Sequence, residues 1–176
     1  VTNYRQPAAP KGDLSRGELV RDFLCGSESP AVYLTKLNAR ADRFSGFNLL
    51  AGEFGEESCE IGYYSNRQRE VRILEPGIYG LSNHLLDTPW PKVSRGKQRF
   101  AQLLKTENAK ADNFFEILGD KTLAADDELP DTGIGYEREK LLSAIFIETP
   151  VYGTRSSGIV IAERNFKLSL QERTFV

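Results

Sequence analysis

The chain has 176 residues, 40% of them hydrophobic, which suits one domain spanning 1–176 and a core that needs no disulfide or metal to hold it. Its 23 basic residues nearly cancel its 25 acidic ones, so there is no general positive field for a nucleic-acid backbone or an anionic membrane surface. No run approaches the roughly 18 apolar residues of a membrane helix, no secretion signal or Asn-x-Ser/Thr acceptor is present, and two distant cysteines, Cys25 and Cys59, make no Cys-x-x-Cys; the expectation is a cytoplasmic protein with free thiols and no transmembrane segment.

The opening Val1-Thr2-Asn3-Tyr4-Arg5 reads as the end of a strand, and with no methionine in the chain the expectation is that first strands are missing. From Asp13 to Leu24 the spacing predicts a helix: Ser15 and Glu18 form a capping box, and Leu19, Val20, Phe23 and Leu24 form its apolar stripe. Gly26 closes it, and Ser29-Pro30 opens a second helix that runs to about Ala41.

At Gly46 the period changes. Phe47 to Phe54, Cys59 to Ser65, Glu70 to Leu74 and Ile78 to Ser82 are short aromatic or branched runs separated by polar turns, predicting a four-stranded meander. Helical spacing returns at Ser94 to Leu104 and Asp112 to Leu118. Beyond an acidic loop at 124–131, the runs Ala144 to Glu148, Ser157 to Glu163 and Phe166 to Glu172 predict strands, the last two joined at Arg164-Asn165. Strands, then helices, then strands, imply an α+β fold of antiparallel sheet covered by helices.

Several segments could carry chemistry. Asn83, at a strand end, has an amide able to donate to a developing oxyanion, against the plainer reading of turn chemistry. Arg155 offers a planar donor fork among Thr154, Ser156 and Ser157, suited to a carboxylate or a charged transition state, against the reading of a surface or salt-bridged arginine. Trp90, between Pro89 and Pro91, is either a packing residue of a rigid turn or a pocket wall. His84 is the sole histidine and no Gly-x-Ser-x-Gly accompanies it, which argues against a conventional triad. Gly133-Ile134-Gly135 lacks the rest of a phosphate loop, and Asp126, Asp127, Glu128 and Asp131 lack the spacing of a calcium loop, so no metal site is expected.

Taken together, Thr2-Asn3-Tyr4-Arg5, Arg16-Gly17-Glu18-Leu19-Val20, Gly46-Phe47-Asn48-Leu49-Leu50, Tyr64-Ser65-Asn66-Arg67, Tyr79-Gly80-Leu81-Ser82-Asn83, Leu86 to Val93, Leu129 to Gly133 and Tyr152-Gly153-Thr154-Arg155-Ser156-Ser157 resemble the NRDE family, also called the transport-and-Golgi-organisation family. The Asn-Arg-Asp-Glu motif and preceding cysteine that name it do not occur here. The family in turn looks like the N-terminal-nucleophile hydrolases, which implies an αββα sandwich of two antiparallel sheets. By that resemblance Asn83 and Asn3 would hold an oxyanion and Arg155 would orient the site. Cys25 and Cys59 are internal and would not replace the terminal nucleophile, so this chain alone is expected not to turn over an amide.

The family's association with haem trafficking, acyl-lipid homeostasis and Golgi organisation implies instead a carrier of a small amphipathic molecule. On that reading Trp90 and Tyr79 would wall a cavity, His84, a cysteine or a tyrosine would reach a haem iron, and Ser156 would join the ligand-binding residues; haem would be cargo, with no resident cofactor required. A protein-interaction scaffold is the third reading, and in a eukaryotic source a mitochondrial or Golgi-associated location would join the cytoplasmic one.

Overall fold

A computed structural model describes residues 1–7, 11–56, 59–107, 109–163 and 165–175. They group into two compact units, Val1–Gly77 with Leu81–Leu86, and Ile78–Gly80 with Asp87–Val176. The fold is mixed α+β with antiparallel sheets, as expected.

The first unit is a four-stranded sheet in the order β1 (Thr2–Asn3), β2 (Phe47–Phe54), β3 (Cys59–Ser65), β4 (Val71–Ile73), every neighbour antiparallel. Two helices accompany it, α1 (Arg16–Leu24) and α2 (Pro30–Leu37). Helix α1 begins as its sequence dictates: the Ser15 hydroxyl accepts from the Gly17 N–H at 3.2 Å and the Ser15 N–H donates to the Glu18 carboxylate at 3.0 Å. Ser29 caps α2, with Pro30 in its first turn. The apolar faces of both helices close on the sheet through Leu19, Leu34, Leu37, Phe47, Leu49 and Tyr64, all at most 3% exposed, and the Tyr33 hydroxyl donates to Leu19 O at 2.7 Å across the helix pair. Cys25 and Cys59 are both free and exposed.

Two expectations for this part of the chain are corrected. Helix α2 stops at Leu37 and tightens into a 3-10 turn over Asn38–Arg43, whose end is held by the buried Asn66 side chain, Nδ2 donating to Ala41 O at 3.1 Å and Phe44 O at 3.2 Å. The run Ile78 to Ser82 is not a strand. Gly80 is tied to Asp87 instead: its N–H donates to the Asp87 carboxylate, its carbonyl accepts from the Asp87 N–H, both at 2.8 Å, and a ladder partner is lost. The fourth strand is β1, from the far end of the sequence.

The second unit contains α3 (Pro91–Leu103), α4 (Ala111–Leu118), α5 (Tyr136–Leu141) and the hairpin of β5 (Ser156–Ala162) and β6 (Leu168–Thr174). Pro91 starts α3 three residues before the expected Ser94. Phe100 meets Phe114 between α3 and α4, with ring centroids 5.5 Å apart. The hairpin is held to α4 by Arg173, whose guanidinium lies 4.1 Å from the Phe115 ring centroid and 2.7 Å from the Asp112 carboxylate.

Helix α5 had no counterpart among the predicted elements. Ala144 to Glu148 is not a strand and retains one isolated bridge, Glu148 to Gly153. The Phe146 N–H is spent on Asp120 O at 2.9 Å and the Ile147 N–H on the Thr154 hydroxyl at 3.0 Å, so no ladder propagates. Of the Arg164-Asn165 turn, Arg164 lies outside the described residues; the Asn165 side chain accepts from the Lys167 N–H at 3.0 Å.

Candidate functional site

In the first unit, the segment 82–84 lies along the outer side of β1. Thr2 Oγ1 donates to Ser82 O at 3.1 Å, Asn83 Nδ2 to Asn3 O at 3.1 Å, and the Arg5 N–H to Asn83 O at 2.6 Å. Asn3, Asn83 and His84, named from sequence, therefore come together. The Tyr4 hydroxyl sits 2.7 Å from His84 Nε2, and the two rings are 4.8 Å apart. Burial pushes the His84 imidazole below its ordinary value, which favours its neutral form. Burial also raises the Tyr4 phenol, against the opposing charge of Arg67.

Beneath them lies a residue that sequence reasoning did not single out. Asn48, fully buried in β2, donates from Nδ2 to Thr2 Oγ1 at 3.2 Å and to His84 O at 3.0 Å. Its Oδ1 accepts from the Tyr63 hydroxyl at 2.9 Å, and that oxygen in turn accepts from the Leu86 N–H at 3.0 Å. The network fixes where the two asparagines and the histidine stand. An amide amid the apolar Phe47, Leu49 and Ala51 was the signal available in the sequence.

The other named residues belong to the second unit. Arg155 and Ser156 are exposed at the start of β5, with Arg155 O accepting from the Phe175 N–H at 2.8 Å. Arg155 lines a cleft of about 510 Å³ whose walls include Phe146, Phe175, Thr154 and Thr174. Thr149 is common to this cleft and to a second of about 270 Å³, walled by Leu141, Leu142, Val151 and Tyr152 with Arg138. Trp90 is buried at the start of α3, while Tyr79 is 36% exposed. Among the described residues no group of histidine, cysteine or acidic side chains could hold a metal ion, and no helix is long and apolar enough to cross a membrane.

Chemically, the first unit offers neutral amide, phenol and imidazole groups in a fixed network. The second offers an exposed arginine among the residues lining a partly apolar cleft.

Comparison with known proteins agrees with the motif reading. The Transport and Golgi organization protein 2 homologs of Bos taurus and Homo sapiens are each 34% identical to this chain, over 100% of it and 67% of their own length. Transport and Golgi organization protein 2 of Drosophila melanogaster is 25% identical over 99% of the chain and 66% of its own length. The match to the family described as Transport and Golgi organisation 2 runs over residues 1–176. This chain belongs to that family.

Proposed function

We propose that the protein carries a small amphipathic molecule with an anionic end, an acyl compound before haem, and that an intracellular site of action goes with this role. The observation that carries the reading is the pairing, within the second unit, of Arg155 at one cleft with an apolar neighbour that shares Thr149. A guanidinium fork suits a carboxylate, and Leu141, Leu142, Val151 and Tyr152 suit a hydrocarbon chain. Haem is the weaker cargo, because His84 Nε2 is already engaged by the Tyr4 hydroxyl and iron would have to displace it.

Titration with oleate below its micelle concentration, followed by calorimetry, tests this reading. Saturable binding is expected, weakened about tenfold or more by Arg155→Gln, since a lost charge-assisted contact is worth at least about 1.4 kcal/mol. Oleate binding indifferent to that substitution, or a saturable Soret shift abolished by His84→Ala, would sink the acyl assignment.

A second reading is amide hydrolysis on an αββα N-terminal-nucleophile scaffold: the Asn83 side chain lies against the Asn3 backbone, Nδ2 donating to Asn3 O at 3.1 Å, which leaves its second N–H for an oxyanion. N-terminal sequencing of the protein from its natural source, with an acyl-amide turnover assay on the same sample, decides it. A mature terminal cysteine with turnover lost in Asn83→Ala is the expected result of that reading, and absence of turnover removes it.

A further inference from the structure

Lys11, Arg16 and Arg67 are far apart in the chain but line one cleft of about 340 Å³ in the first unit, together with Asn3, Gln6 and Ser45. No carboxylate lines it among the described residues. The acids nearest in sequence are occupied elsewhere: Asp13 pairs with Arg43 at 2.8 Å, and Glu18 caps helix α1. Like charges gathered without a counter-charge repel one another, and an anion relieves that repulsion.

Both arginines are fixed at one residue. Arg16 Nη1 donates to Gly46 O at 3.0 Å, which also accepts from the Tyr4 N–H at 2.9 Å. A Cβ on Gly46 would meet Arg67 Nη2 at 3.2 Å and Nε at 3.3 Å, so the Arg67 guanidinium rests against bare backbone there. Arg67 Nε is held by Gln6 Oε1 at 2.7 Å. The anchoring uses one nitrogen of each fork and leaves the remaining N–H groups available to a ligand. The Ser45 oxygen accepts from the Gly12 N–H at 3.0 Å, so its own proton can donate.

We propose that Lys11, Arg16 and Arg67, with the Ser45 hydroxyl, form a binding site for a single phosphate group. A carboxylate carries one charge and is satisfied by one fork, whereas a phosphate monoester carries about −1.5 to −2 at pH 7 and three acceptor oxygens, matching three cations converging from separate elements. The cleft of about 340 Å³ has room for a phosphate group and a small group esterified to it, and the chain's net charge of −2 supplies no wider field for a polyanion. This inference does not depend on the Arg155 reading, which concerns the second unit.

The test is calorimetric titration of the full chain with inorganic phosphate, glycerol 3-phosphate and acetate at matched ionic strength. Saturable binding of either phosphate is expected, at least tenfold tighter than acetate and weakened at least tenfold in Arg67→Gln, with no change in Lys36→Gln, whose side chain pairs with Glu28. Tighter binding of glycerol 3-phosphate identifies the source as an ester; tighter binding of inorganic phosphate identifies the free ion. Arg67 is exposed, so Arg67→Gln stays folded, whereas Arg16→Gln removes the bond to Gly46 O, and Ser45→Ala provides a second check with a smaller loss. Equal affinity for acetate, no saturable binding, or phosphate binding untouched by Arg67→Gln overturns the proposal.

Discussion

Asn48 shows how one side chain sets the geometry of the first unit. Its amide satisfies Thr2, Tyr63 and the His84 carbonyl at once, and among the described residues no buried side-chain polar atom lacks a partner. Asn48→Ala removes both halves of that arrangement and strands polar groups away from water, which is expected to cost about 2–3 kcal/mol in urea unfolding; an unchanged midpoint would show that water replaces the amide. Strand alternation sets Asn48 opposite Phe47 and Leu49, on a face that reads as outward, where Thr2, Tyr63 and the segment 84–86 meet it. The amide among apolar neighbours was visible in the sequence but its partners at 82–86 were not, whereas Asn83 was reached from its place at an expected strand end and Asn3 through the motif resemblance. In the second unit, burial pushes the Asp120 carboxyl up, but hydrogen bonds from Thr122 and Arg95 outweigh it and hold the group well below its ordinary value. A depressed carboxylate contributes stability that is full above its unfolded value, 3.8, and is lost as pH falls through the folded one. Asp120→Asn should therefore lower the unfolding midpoint at neutral pH and flatten its decline below about pH 4; parallel pH profiles for the two proteins would refute the assignment.

At the scale of elements, local signals were read well where the backbone determines its own partners. The Ser15 and Glu18 box, the Ser29-Pro30 start and the β2 to β3 pairing all follow from adjacent residues. The two expected strands that do not form lie where a side chain takes a backbone group, Asp87 on Gly80 at 78–82 and Thr154 on Ile147 at 144–148, while the short α5 carries no side-chain cap to announce it. Gly62 illustrates a dependence that is visible only after folding. A Cβ there would stand 2.5 Å from Leu34 Cδ1, so α2 lies directly against β3, and Leu34 is fully buried with little room to turn away. Gly62→Val is expected to destabilise by roughly 1–3 kcal/mol through overpacking, and Leu34→Ala in the same chain should recover part of that loss. A double variant no more stable than predicted from the two single losses added together would show that the helix and strand are not in conflict at this point.

Composition at the level of the whole molecule gives no broad basic field, yet it hides the local one, because Lys11, Arg16 and Arg67 are averaged against acids elsewhere. The two units also divide the proposed chemistry: the phosphate cleft draws its residues from the first, and the Arg155 cleft from the second. Amide hydrogen exchange can separate them, because a ligand that binds only the folded state slows opening at the elements that hold it. With ligand at about 100 times its Kd, mass action stabilises the bound region by about 2.7 kcal/mol, a slowing of up to about 100-fold in exchange. Glycerol 3-phosphate should protect amides at 2–6, 45–48 and 66–67, and oleate those at 146–155 and 174–175. Oleate protection centred on the first set would move the acyl site to the first unit and refute the role given to Arg155, while phosphate protection centred on the second would do the same for Arg67.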